Sequence, residues 1–459
     1  VAAAAINRWI DVISTMKKIY LSVIGFSIIC RLGAHAQTKQ DTTRNNHPFA
    51  VYTPGSGDST GYQSRALRVD EVDLFSSYYN QNGDHSAVTG GIGTQKVTDF
   101  SSGLDLHLVW LNQAYNKNTL SVGLGYDHHS SASSAYVALN GGGKPGGDRI
   151  YPSLDWTVEN AQKGTSFGVG AYYSGEYNYK SKGADLHWSV KTKDRSGEFG
   201  VKLQGYFDQV TMILPSEFIH QPVAQQQGTM IITTASGNTE VVGTNGQVIS
   251  STKNSLPTSP RTTLTAAFSY SQMINSRLQI MLLGDVVAQS GYLGLPFHRV
   301  YAPYLQTPNK DTIEKLPSSR FKLPIGVRAN YFLGDNIILR SYYRYYTDDW
   351  GIRSNTASLE VAYKITPFFS ISPFYRYYDQ SAAKYFAPYN AHTAADIYYT
   401  SNYEDAKFQA NYFGVGFRIA PPNGVFGWQN LHDLEIRYGH YSQTTDLVSD
   451  VISVNLGFK

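Results

Sequence analysis

The chain has 459 residues, with 38 Lys+Arg against 35 Asp+Glu for a net charge of +3, and a single Cys. This near-neutral balance excludes the basic face of a nucleic-acid binder. One Cys excludes a disulfide scaffold or a multi-Cys metal cluster, and a mean hydropathy of −0.30 excludes a bundle of apolar transmembrane helices. A charged fraction of 16% beside 14% aromatics, 35 Tyr and 41 Gly is the composition expected of a transmembrane β-barrel.

Residues 1–15 read as a mis-assigned upstream start. Met16-Lys17-Lys18 then supplies a basic region, Ile19 to Cys30 an apolar run, and Ala34-His35-Ala36 the small residues of a cleavage site. Residues 16–36 are therefore expected to be a secretory signal peptide. Ile29 before Cys30 is too large for a lipoprotein signal, so Cys30 should leave with the leader. The mature chain would have no Cys, which suits passage through an oxidising periplasm. Residues 37–68 are polar, with many Thr, Asn, Ser and Gly, and read as a periplasmic tail without a core. That length is too short for a plug domain, so energy-coupled uptake is not expected.

From residue 69 to 459 the chain breaks into segments of about ten residues with alternating apolar and polar positions, as barrel strands do. Two early stretches carry a family signature. One runs Val72-Asp73-Leu74-Phe75-Ser76-Ser77-Tyr78-Tyr79-Asn80-Gln81 and continues at Ala87-Val88-Thr89-Gly90-Gly91-Ile92-Gly93-Thr94. The other is Gly125-Tyr126-Asp127-His128-His129-Ser130-Ser131-Ala132-Ser133-Ser134. Together they resemble the domain-of-unknown-function family 3570, a set of Gram-negative outer-membrane proteins. The resemblance implies location and no established reaction. Members of that family are often encoded beside thioredoxin-like and flavin-transferring proteins, which points toward periplasmic redox or metal handling.

The same early segments hold the candidate chemistry. Asp127, His129 and Ser131 share one face of a strand, and Asp105 and His107 share the same face of the strand before it. His nitrogens and carboxylates ligate divalent ions, so His107, His129 and Asp127 form a candidate metal set. A hydrolase reading would use Ser131 as nucleophile and His129 as base, oriented by Asp105 or Asp127. Residues two apart on a strand lie about 7 Å apart, too far for a direct Ser–His hydrogen bond. The third reading is a hydrogen-bond network that ties neighbouring strands together, with no cofactor.

Gly90-Gly91-Ile92-Gly93 looks like a nucleotide loop, but no βαβ unit follows it, and a surface turn is expected instead. Residues 215 to 260 read as a long polar loop that could constrict or cover a barrel mouth. Tyr342-Tyr343-Arg344-Tyr345-Tyr346 and Tyr375-Arg376-Tyr377-Tyr378 lie near strand ends. An interfacial aromatic girdle is expected there, with inward-facing members free to stack on a solute.

The last segment places Ile452, Val454, Leu456 and Phe458 on one face, and Phe458 resembles the C-terminal sorting signal of outer-membrane barrels. Counting segments predicts about sixteen strands, centred near Leu74, Leu106, Val122, Trp156, Val169, Trp188, Val201, Ala266, Leu282, Val327, Leu339, Val361, Ile371, Val415, Ile436 and Val454. Parity supports the count, because nearly all the long connections fall on one side, expected to be extracellular, and the short ones on the other, with a longer Pro421–Asn430 among them.

Strand parity also predicts the lumen. Asp73, Asp105, His107, Asp127, His129 and Asp155 should line its early wall, and Arg328, Arg340, Arg344, Lys364, Arg376, Arg418 and Arg437 its late wall. The expected protein is a porin-like passive channel for small polar or charged solutes in the cell outer membrane. Its expected partners are outer-membrane lipid, the barrel-assembly machinery and a periplasmic protein, with no nucleic acid. The alternatives are a barrel-embedded metal or hydrolytic site, or an interaction scaffold with a closed lumen.

Overall fold

The computed structural model describes residues 65–130, 147–215, 218, 229–233, 238–243, 248–253, 257–306 and 310–459. The signal-peptide and tail readings of residues 1–64, and Ser131 to Ser134, lie outside the described residues.

Among the described residues, twenty-one strands follow one another. The first seven are β1 (Arg68–Asn82), β2 (Val97–Leu111), β3 (Lys117–His129), β4 (Gly147–Asn160), β5 (Thr165–Gly175), β6 (Tyr179–Lys191) and β7 (Gly197–Thr211). Three short strands, β8 (Thr229–Thr233), β9 (Asn238–Gly243) and β10 (Val248–Lys253), precede β11 (Thr258–Asn275) and β12 (Leu278–Gly291). After β13 (Arg299–Tyr301) and β14 (Asp311–Ile313) come β15 (Ser319–Leu333), β16 (Ile337–Asp348), β17 (Arg353–Thr366) and β18 (Phe369–Gln380). The chain closes with β19 (Phe408–Ile419), β20 (Leu431–Gln443) and β21 (Leu447–Phe458).

Sixteen of these strands form a closed antiparallel barrel in the order β1 to β7, β11, β12, β15 to β21, with β21 pairing back onto β1. All sixteen centres expected from the sequence fall within these strands, one in each. The barrel forms because period-two patterning gives each strand one apolar face and one polar face. On β3, Leu124 and Tyr126 point outward and are 52% and 39% exposed, while Asp127 on the opposite face meets Tyr151 of β4. The same outward exposure recurs at Trp156, Phe167, Leu186, Leu203, Leu264, Leu282, Ile325, Leu359, Phe413 and Ile452. A continuous apolar belt exposed on the outside of a closed sheet is the solution for a lipid environment, where every strand edge must be paired. No helix among the described residues is long and apolar enough to cross a membrane. At the C-terminus, Phe458 pairs across the sheet with Leu431 and Val72 and packs edge-on against Trp428 at 5.5 Å.

One end of the barrel carries tight turns. Asn112 Oδ1 accepts from the Ala114 and Asn116 amides in the β2–β3 turn. Asp194 accepts from the Ser196 and Thr192 hydroxyls and the Ser196 amide in the β6–β7 turn. Those donors hold its carboxyl down to about 2, the Ser196 hydroxyl contributing most. The other end carries the long connections. Between β7 and β11, where a polar loop is expected, β8, β9 and β10 instead form a separate three-stranded antiparallel sheet. Their short β-branched runs, such as Ile231-Ile232-Thr233 and Glu240-Val241-Val242, are the signal that an overall polar composition hides.

Three long-end connections fold against one another. In residues 83–96, a single turn at Ala87–Thr89 ends in Gly90 and Gly91, at φ of 80° and 87°. Arg299 of β13 donates to the Val88 carbonyl at 3.0 Å, and His85 stacks on Tyr403 with ring centroids 3.7 Å apart. Glu314 ties the other two connections together. Its carboxylate accepts from the Leu295 amide at 2.8 Å and from the Thr400 hydroxyl at 2.5 Å. Lys315 and Tyr399 exchange both backbone hydrogen bonds. Val300, Ala302, Thr400 and Ser401 are buried within this cap.

Candidate functional site

The lumen is built from the inward residues of the sixteen strands. Sixteen strands enclose an interior wide enough to hold water. On the early wall, Asp73 and Asp105 lie directly opposite each other in the β1–β2 register. His107 Nδ1 meets Ser121 Oγ at 2.9 Å. Asp127 accepts from the Tyr151 hydroxyl at 2.8 Å, with Arg149 at 3.6 Å, and His129 Nε2 pairs with Glu176 at 3.1 Å. His107, His129 and Asp127 are thus each engaged by a different partner. Asp155 accepts from the Thr157 hydroxyl at 3.0 Å and lies 3.7 Å from His187 Nδ1.

Among the described residues, the one trio of His, Asp or Glu close enough to share a cation is Asp155, Asp185 and His187. Asp185 already accepts from the Tyr172 hydroxyl and from His187, and Lys202 Nζ lies 3.3 Å away. The lysine ammonium supplies the positive charge that a metal would otherwise bring. Asp185, His187, Lys202 and Arg149 share the parity of the expected lumen residues but were not singled out by it.

The late wall is basic. Arg340 Nη1 donates to Glu360 at 2.6 Å, Arg437 to Glu360 at 2.6 Å and to Glu435 at 2.8 Å, and Arg418 meets Asp433 at 3.0 Å. Arg328, Arg344, Lys364 and Arg376 make no ion pair among the described residues. Arg328 lies over the Tyr342 ring at 5.8 Å and Arg376 over the Tyr412 ring at 5.7 Å. Arg344 Nε is buried without a hydrogen-bond partner. Arg328, Arg340, Arg376 and Arg437, with Tyr342 and Glu360, line a recess of about 560 Å³.

β3 and β16 stand eight strands apart in either direction around the barrel, so the early and late walls face each other. Ion pairs among the described barrel strands join strands no more than three apart, and none crosses the lumen. Each wall keeps its own character, with unpaired Asp73 and Asp105 on one side and unpaired guanidinium groups on the other. Low-dielectric walls focus such a field across the lumen.

Above the basic wall, the cap reaches lumen-facing side chains. Gln380 of β18 donates to the Glu404 and Ala406 carbonyls at 2.8 and 2.7 Å. Arg320 of β15 pairs with Asp348 of β16 at 2.5 Å and lies over the Trp350 ring at 4.3 Å. Asp405 sits in the cap next to β19, and burial pushes its carboxyl up to about 6 despite the nearby Arg320, with Glu314, Glu404 and Asp348 adding to the rise. The tyrosine runs divide by parity. Tyr343, Tyr345 and Tyr375 are exposed on the outer belt, whereas Tyr342, Tyr346 and Tyr378 turn inward.

A family described as "Protein of unknown function (DUF3570)" matches residues 146–448. No curated protein matches the sequence. Among solved structures, the chain is similar to a loop-deletion mutant of the outer-membrane protein OmpT of Vibrio cholerae, with 10% identity and a TM-score of 0.41, covering 86% of this chain and 100% of that one. It is similar to OccK9 (OpdG) of Pseudomonas aeruginosa, with 9% identity and a TM-score of 0.40, covering 86% and 100%. It is also similar to a BenF-like porin of Pseudomonas fluorescens Pf-5, with 7% identity and a TM-score of 0.40, covering 86% and 99%. The barrel assignment stands on the strand pairing itself.

Proposed function

The chain belongs to the DUF3570 family, and we propose that it is an outer-membrane passive channel for small polar solutes, with a preference for anions. The observation that carries this reading is the set of Arg328, Arg344 and Arg376, which make no ion pair among the described residues; Arg328 and Arg376 line the basic recess, and Arg344 has Asp285 of β12 only at longer range. Arg328 and Arg376 are exposed, so they set up a positive field that an anion entering the lumen would lower. The apolar outer belt takes the lipid contacts, and the tight-turn end faces the periplasm, where a protein partner would dock. Phe458 on the closing strand is the feature the barrel-assembly machinery would read. Proteoliposome swelling tests the proposal: liposomes holding the refolded protein should swell in small anionic and neutral solutes, and faster in the anionic ones. Swelling no faster than in empty liposomes would refute it.

A further inference from the structure

Four lumen-facing tyrosines share one arrangement. Tyr79, Tyr346, Tyr378 and Tyr441 each donate a hydroxyl hydrogen bond to the side chain two residues on, which is Gln81, Asp348, Gln380 and Gln443, at 2.7, 2.7, 2.6 and 2.9 Å. All four lie near the long-loop ends of β1, β16, β18 and β20, whose chains run toward that end. The hydroxyls are tethered along the wall, which fixes the rings.

Two of these rings, Tyr79 and Tyr441, line a cavity of about 590 Å³ with Tyr412, beneath the Tyr403 and Glu404 segment of the cap. Arg376 lines this cavity and also the basic recess, so it joins the two. We propose that the cavity is a binding subsite for a sugar ring carrying one oxyanion, with the oxyanion on Arg376 and the ring against the tethered tyrosines. The proposal deepens the channel reading and rests on it for how the solute arrives.

The lining favours a hydroxylated ring over a flat aromatic acid. Gln95, Glu404, Thr445 and Ser449 line the same cavity as the rings. Thr445 already accepts from Gln443, and Ser449 is hydrogen-bonded to Tyr79, but an aromatic guest would offer nothing to the Gln95 and Glu404 side chains, at a cost in binding. A sugar presents C–H faces to the tyrosines and hydroxyls to the polar groups of the same lining. The volume admits a mono- or disaccharide.

Saturation-transfer NMR on the detergent-refolded protein tests this, with glucuronate, glucose 6-phosphate, glucose, acetate and benzoate as probes. Glucuronate or glucose 6-phosphate should bind about tenfold more tightly than glucose, acetate or benzoate. Arg376→Gln should erase the advantage over glucose, and Tyr441→Ala the advantage over acetate. Binding of both sugar oxyanions no tighter than that of acetate, or tighter binding of benzoate, would overturn the subsite. The wild-type panel decides this even if a variant fails to refold. A protein that passes ions but shows no such preference refutes the subsite and leaves the channel standing. One that shows the preference but passes no current does the reverse.

Discussion

Arg437 on β20 reaches Glu360 on β17 at 2.6 Å, across the inner faces of β18 and β19. Its guanidinium lies over the Phe374 ring at 5.0 Å, and Gly416 on β19 leaves the room it needs, since a Cβ there would sit 3.3 Å from Arg437 Cγ. Glu360 also holds Arg340 at 2.6 Å, so a single carboxylate restrains two cations of the basic wall.

Glu360→Gln should therefore raise the anion preference of the pore. The variant removes one negative charge, frees Arg340 and leaves Arg437 held by Glu435 alone. Reversal potential in a KCl gradient should move further toward the chloride equilibrium value. An unchanged potential in a variant of normal conductance would place Glu360 off the conducting path.

Gly91 locks one connection of the cap onto another. Its φ is 87°, and a Cβ would meet the Ser401 carbonyl oxygen at 2.7 Å. Gly91→Ala should cost the docking of residues 83–96 roughly 1–3 kcal/mol. Limited proteolysis should cut that segment faster in the variant, while the barrel keeps its heat-modifiable migration on gels. Equal cutting rates would show that the segment is not held through Gly91.

Asp405 makes the cap sensitive to pH. Its carboxyl is raised to about 6 in the folded cap, mainly by burial, against an ordinary value of 3.8. The folded state thus binds the proton more tightly. This contribution to stability is fully present below pH 3.8 and is lost as pH rises through about 6. Amides of residues 381–407 should exchange more slowly at pH 5 than at pH 7.5, after correction for intrinsic rates. Asp405→Asn should flatten the difference, and a wild-type cap equally protected at both pH values would contradict the assignment.

Trp350 anchors the cap to the barrel rim. It is 2% exposed, donates from Nε1 to the Ser319 carbonyl at 2.9 Å, and carries Arg320 on its face. Trp350→Ala should cost about 3–5 kcal/mol, read as a lower urea midpoint for the protein in lipid vesicles. A midpoint within error of wild type would show that the site collapses without loss.

The strand count and centres were legible because period-two patterning is local. Leu359, Val361 and Tyr363 declare an outer face whatever lies beside them. Inward parity at Asp127 or Arg437 could be read in the same way. Partner choice could not, because the Arg437–Glu360 pair joins β20 to β17 and depends on how the sheet curls. The Glu314–Thr400 bond, which joins two cap segments 86 positions apart, is equally silent in the sequence. The tethered tyrosines had a signal, since Tyr79, Tyr378 and Tyr441 are each followed two positions on by Gln. Dominance of the girdle pattern in the tyrosine runs obscured it.

The most direct test of the account is single-channel recording of the refolded protein in a planar bilayer under a KCl gradient. The account predicts discrete conductance steps whose reversal potential favours chloride, and a shift toward potassium when Arg328, Arg344 and Arg376 are replaced together by Ser. Absence of steps at every salt concentration, or steps whose selectivity the triple replacement leaves unmoved, would contradict it.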